Sequence, residues 1–130
     1  MNEKTTTPDI LRRMENAMNA HDLDAFADCF AGNLRSRRPL HPQSGITDHA
    51  KMRENWAGLF AHVPDLVAAV QRSAEDGDQV WAEWEIGGTT VENARYLSRG
   101  VTILTLENDR IASVRFYLDN VDPEVQGADV

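Results

Sequence analysis

The sequence predicts an α+β fold in which helices cover one face of a curved, mostly antiparallel sheet. Three observations carry that prediction. Apolar residues recur at helical spacing in the first half of the chain, they alternate at a spacing of two in the second half, and the two patterns do not interleave. Helices first and a long meander after them leave one apolar sheet face, and the helices are what can cover it.

Each element follows from local signals. Thr7 can cap a first helix, with Pro8 at its first position and Asp9 against the positive end of the helix dipole. Ile10, Leu11, Met14, Ala17 and Met18 then form one apolar stripe. Asp22 starts a short second helix with Leu23, Phe26, Ala27 and Phe30 on one face, and Gly32 is placed to stop it. Residues 34–40 read as a strand in which Leu34, Ser36, Arg38 and Leu40 share a face. Thr47 caps a third helix carrying Met52, Trp56, Leu59, Phe60 and Val63, and Pro64 ends it because its ring cannot continue the backbone ladder. Residues 65–75 are apolar and mixed, and Asp76-Gly77 supplies a tight turn. Residues 80–86 alternate, with Val80, Ala82, Trp84 and Ile86 on one face and Trp81, Glu83 and Glu85 on the other. Gly87-Gly88 breaks this strand. Strands at 97–106 and 111–118 follow, turned by Asn108-Asp109.

At 130 residues the chain makes one domain, expected over 7–121 with loose tails at 1–6 and 122–130. A net charge of -8 argues against non-specific nucleic-acid binding, which depends on basic surface. No apolar run is long enough to cross a bilayer, and the first ten residues lack the layout of a secretion signal, so neither a membrane partner nor export is expected and the cytoplasm is the default. Cys29 is the sole cysteine and lies on an apolar helical face, which suits a buried inert thiol. His21, His49 and His62 stand at helix ends without a second ligand at metal spacing, so no metal site and no other cofactor is expected.

Five stretches in order, 19–31 (NAHDLDAFADCFA), 41–60 (HPQSGITDHAKMRENWAGLF), 64–70 (PDLVAAV), 76–89 (DGDQVWAEWEIGGT) and 99–119 (RGVTILTLENDRIASVRFYLD), resemble the SnoaL-like branch of the nuclear-transport-factor-2-like (NTF2-like) superfamily. The resemblance covers nearly the whole domain. It implies a cone, a bent sheet wrapped by three helices around an apolar pocket, commonly dimerised through the outer sheet face. Here Trp81, Glu83, Glu85 and Arg115 would form that face of a homodimer, with Arg35 and Arg37 lying on the outer face or edge toward Glu83 and Glu85. The superfamily contains isomerases, epoxide hydrolases, cyclases and non-catalytic members, so function must be argued from the site.

The acid–base patterns of those branches are absent. The ketosteroid-isomerase-like pattern needs a carboxylate where Arg38 stands, a tyrosine at Met14 and an acid at Thr102. Arginine stays protonated and cannot serve as that base. The epoxide-hydrolase-like pattern would place its polar groups at Trp84, Ile86 and Phe116, and the cyclase-like His and Asp fall at Thr102 and Phe116. What the resemblance leaves is a pocket walled by Met14, Met18, Trp56, Phe60, Trp84, Ile86, Thr102 and Phe116, with Arg38 pointing inward as a buried cation. Such a cation demands an anion, supplied either by Asp28, Asp48 or Glu54 or by a ligand. Alternatively Arg38 snorkels to the rim. His41, near the expected pocket mouth, is the candidate acid or base, or a surface-loop residue. The functional expectations are a cofactor-independent cyclase, isomerase or dehydratase for a small apolar metabolite bearing an anionic or carbonyl group, or a non-catalytic binding or dimerisation protein with a vestigial pocket.

Overall fold

The computed structural model describes residues 7–121, so the tails expected at 1–6 and 122–130 lie outside the described residues. Three helices, α1 (Asp9–Ala20), α2 (Leu23–Asp28) and α3 (His49–His62), pack on six strands: β1 (Phe30–Arg37), β2 (Ile46–Thr47), β3 (Val67–Asp76), β4 (Gln79–Thr89), β5 (Arg95–Glu107) and β6 (Arg110–Asn120). The strands lie in the order β2-β1-β6-β5-β4-β3. β1 runs parallel to β6 and the remaining pairs are antiparallel. The predicted α+β cone is the observed fold.

Several boundaries move, each for a local reason. Pro8, not Thr7, occupies the cap of α1, and no side chain caps it. Asp22 caps α2 as expected, its carboxylate accepting the Ala25 N–H at 3.0 Å. That helix stops at Asp28, well before Gly32, because Phe30 pairs with Ile111 and opens β1. Phe26 and Phe30 therefore meet edge-on across a helix–strand junction, centroids 5.1 Å apart, instead of sharing a helix face. Thr47 pairs with Ser36 in β2, so the cap of α3 passes to Asp48, which accepts the Lys51 N–H at 2.9 Å. Gly87-Gly88 does not break β4. Gly88 is where the sheet slides under the end of α3, and a Cβ there would fall 2.5 Å from Val63 Cγ1. The Asn108-Asp109 turn forms as expected, both residues at positive φ.

α1 also finishes the sheet. The Asn19 amide donates to the Ala68 carbonyl at 3.0 Å and accepts the Ala68 N–H at 2.7 Å, and Glu15 accepts the Val70 N–H at 2.9 Å. Two side chains thus occupy edge groups of β3 that would otherwise invite another strand. The remaining edge carries Arg72, Glu75 and Asp76, all exposed.

The outer face differs from expectation in its pairing. Glu83 meets Arg72 at 3.0 Å and Glu85 meets Arg99 at 2.9 Å. Arg35 and Arg37 are exposed on β1, separated from β4 by β6 and β5, so they do not reach those acids, and Arg37 instead stands opposite Arg115. Trp81 is 43% exposed between Ala74 and Ile103. No helix among the described residues is long and apolar enough to cross a membrane.

Candidate functional site

The interior has a filled end and a hollow end. Toward the filled end the inner faces carry Leu34 on β1, Val80, Ala82 and Trp84 on β4, Leu104 on β5 and Val114 on β6, all buried. They pack on Leu11, Met14, Met18 and Phe26 of the helices. Farther along the same faces the residues become Ser36, Ser98 and Asn120, too small or too polar to fill the cone. There a cavity of about 460 Å³ opens. α3 closes one side with Met52, Asn55, Trp56 and Leu59, and the sheet supplies Ile86, Tyr96, Phe116 and Leu118. The wall is therefore mixed, with more polar groups than the mainly apolar pocket expected from the sequence.

Of the residues singled out in the sequence, Arg38, Trp56, Ile86 and Phe116 line this cavity. Met14, Met18, Trp84 and Thr102 do not. They belong to the filled end, where the Trp84 indole N–H donates to the Thr102 hydroxyl at 3.0 Å and satisfies both buried polar groups. Phe60 packs beside Trp56 and stacks on the His21 ring, outside the cavity wall. Arg38 is exposed at the rim, so its guanidinium is solvated and the expected need for an internal counter-ion lapses. Among the described residues it has no acid within 4.0 Å, and Asp28 and Glu54 are engaged by Arg110 and Lys51.

His41 does not face the cavity itself. Its Nε2 lies 3.0 Å from Asp119 Oδ2, and Asp119 is the wall residue. A carboxylate can only accept, so Nε2 carries the proton of that bond. Both groups are about half exposed. The other Asp119 oxygen accepts the Asn120 N–H at 2.9 Å. That backbone bond, followed by the contact with His41 and the nearby Arg38 charge, holds the Asp119 carboxyl below its usual range.

Strand parity points Asp119 away from the interior, opposite to Phe116. It reaches the rim because β1 ends at Arg37, opposite Arg115, so the last stretch of β6 has no strand on that side. The loop after β1 folds over this open edge through consecutive turns, the His41 N–H bonding the Arg38 carbonyl at 2.8 Å and the Ser44 N–H the His41 carbonyl at 2.9 Å. From the sequence Asp119 was a lesser site candidate, conditional on a bulge re-aiming the strand end, whereas Tyr96 was missed, since it lies just ahead of the residue where β5 was expected to begin. Burial pushes its phenol up, while Arg38 and the Ser98 hydroxyl pull it back down. It is thus a neutral donor at ordinary pH. Ser98, only 5% exposed, donates to the Asp119 carbonyl at 3.0 Å and anchors the end of β6.

The remaining candidates have structural partners. The His21 and His49 rings bond the carbonyls of Leu66 and Ala27. The Cys29 thiol is buried against the Ala25 carbonyl at 3.5 Å, and burial pushes it up and leaves it inert. No cluster of His, Cys, Asp or Glu among the described residues could hold a metal ion. A second, shallower hollow of about 320 Å³ between α2, α3 and the start of β6 has its arginines, Arg53 and Arg110, already paired with Asp24 and Asp28.

A cone of helices on a bent sheet, open at one end into a half-polar cavity, defines the ketosteroid-isomerase-like, NTF2-like class of fold. Within that class residues 11–114 match the SnoaL-like domain, and the chain belongs to that family. Solved structures agree on the fold. A candidate isomerase from Bacillus subtilis superposes with a TM-score of 0.75 at 19% identity, covering 92% of this chain and 90% of its own. IdmH, a candidate polyketide cyclase from Streptomyces antibioticus, gives 0.72 at 18% identity over 85% and 90%. A ketosteroid-isomerase-like protein from Catenulispora acidiphila, solved in complex with trimethylamine, gives 0.73 at 20% identity over 86% and 87%. At these identities the likeness concerns fold alone. No curated protein matches the chain.

Proposed function

We propose that this SnoaL-like protein is a cofactor-independent enzyme of the isomerase or cyclase type, acting on a small carbonyl compound through proton transfer at Asp119. The observation that carries the reading is the His41–Asp119 pair, 3.0 Å apart, with Asp119 on the cavity wall and His41 behind it. Asp119 is oriented from two sides, by the His41 ring and the Asn120 N–H, which is the arrangement a positioned base requires. Tyr96, kept neutral, is a donor for the oxygen on which charge develops as the proton leaves. Trp56, Leu59 and Phe116 supply the apolar wall that orients the substrate and excludes water.

The same bonds that orient Asp119 weaken it as a base. A carboxylate held below its usual range removes protons only from acidic carbon, such as one flanked by two carbonyls. Cyclisation or isomerisation of a dicarbonyl metabolite fits this limit better than isomerisation of a simple ketone. The test is deuterium uptake at the central carbon of ethyl 2-methylacetoacetate in D₂O, followed by NMR. The protein is expected to accelerate exchange over buffer, Asp119→Asn to lose the acceleration by about 100-fold, and His41→Gln to lose part of it. Exchange at the buffer rate with the unaltered protein, or an Asp119→Asn variant as fast as it, would remove the reading.

A further inference from the structure

We infer that the cavity selects a small monoanion: a carboxylate on a flat apolar body, its charged end held by Ser36 near the end of β1 and Arg38 just beyond it. The inference rests on the site proposed above and adds the charge of its ligand.

Consider first how this chain treats its arginines. Arg12, Arg53, Arg72, Arg99 and Arg110 each meet an acid within 4.0 Å. Acids are abundant, 21 against 13 basic residues. Arg38 nonetheless stands at the cavity rim without such a partner among the described residues, and it is the arginine on that wall. Arg13, Arg35, Arg37, Arg95 and Arg115 also have no acid within 4.0 Å among the described residues, but none of them lines this cavity.

Ser36 is the second, independent observation. It sits on β1, two residues before Arg38, which opens the loop after that strand; it is 5% exposed and lines the cavity. Its hydroxyl bonds no other described residue, yet it is not a sealed orphan, so its remaining surface opens into the hollow. A hydroxyl that opens into the cavity with no partner among the described residues is a donor available to a ligand. Ser36 and the Arg38 guanidinium together present two donors of the kind that bind a carboxylate, one neutral and one charged.

The Asp119 carboxylate on the same rim would repel an anion. Its two oxygens already accept bonds from Asn120 and His41, however, while the side chains of Arg38 and Ser36 have no partner among the described residues. A cationic ligand meets the opposite arrangement, an unpaired guanidinium at the entrance. The volume, near the small end for organic-ligand sites, suits a body of one or two rings against Trp56 and Phe116.

The test is isothermal titration calorimetry with three probes of similar bulk: 2-naphthoate, its neutral isostere 2-naphthamide, and phenyltrimethylammonium. The naphthoate is expected to bind at least about ten-fold more tightly than the amide, as one charge-assisted bond requires. Arg38→Met should bring the two to within about two-fold, and Ser36→Ala should weaken the naphthoate a few-fold. Melting curves of both variants check that the fold persists. Equal affinities, tighter binding of the ammonium probe, no measurable naphthoate binding, or a preference that survives Arg38→Met overturns the inference. The titration involves no turnover. A protein that selects naphthoate but exchanges no carbon-bound proton removes the enzymatic proposal and leaves the anion site standing, and the converse pair of results does the reverse.

Discussion

The two ends of the cone are built on the same strands yet obey different rules. On β5 the inner face runs Leu104, Thr102, Gly100, Ser98, Tyr96, and on β1 it runs Leu34, Ser36, with Arg38 just past the strand end. Both series pass from a large apolar residue to small or polar ones over a few positions. At the filled end van der Waals contact is complete, with Leu104, Ile111 and Leu11 fully buried. At the hollow end Phe116 and Leu118 are only partly covered. The difference teaches that this cavity is not a packing defect. It lies where the sequence withdraws bulk from several strands at one level, and where it also places unpaired donors.

The largest effect expected from this contrast is at its hinge. Gly100 separates the two ends of β5, with φ at +150°, a region open essentially to glycine alone. A Cβ there would lie 2.1 Å from the Tyr117 carbonyl oxygen, which is backbone and cannot step aside. Gly100→Ala should therefore cost ~3 kcal/mol or more in denaturant unfolding. A cost below ~1 kcal/mol would mean that β5 and β6 can separate at this level, and the hinge between the two ends would lose its meaning.

A middle-sized effect compares the ends directly. Leu104→Ala removes side-chain volume from close packing and leaves a new void, with an expected loss of about 3 kcal/mol. Phe116→Ala removes more atoms, but from a wall that already borders the cavity. Little new void forms and part of the ring's area was never buried, so a loss nearer ~1–2 kcal/mol is expected. Denaturation midpoints of the pair decide the matter. If Phe116→Ala costs as much as Leu104→Ala, the ring is packed as core and the hollow end is smaller than its outline.

Much of this contrast was readable before any coordinates. The stripe on α1, the alternation in β4 and the cap at Asp22 depend on neighbours in sequence, and all three appear where local rules put them. What escaped depends on partners distant in sequence. Trp84 and Thr102 have the parity of pocket residues, but whether an inward side chain meets void or core depends on the height of the helices across from it. Asp119 has the wrong parity and still reaches the rim, because the parallel neighbour β1 stops short beside it. No periodicity within β6 reports where another strand ends. Arg38 borders the cavity but is exposed, because β1 ends at Arg37 and Arg38 opens the loop that follows, and a strand pattern does not report where the strand stops.

The smallest expected effect lies at the same rim and concerns protons. Asp119 is held below its ordinary value first by the Asn120 N–H, then by His41, with the Arg38 charge adding to both. A carboxyl depressed in the folded state binds its proton more weakly there than in the unfolded chain. Its contribution to stability is accordingly present above the unfolded value, near 3.9, and is lost as the pH falls through the folded one. Asp119→Asn should leave a slightly less stable protein at neutral pH, and the gap from the unaltered protein should close as acid is added below about pH 4. Because the group is half exposed, the gap is small and is best read as melting temperature against pH at low salt. Melting curves that stay parallel down to about pH 2 would show that Asp119 holds no special bond to the loop after β1. In that case the hollow end would keep its volume but lose the pair on which the proposed proton transfer rests.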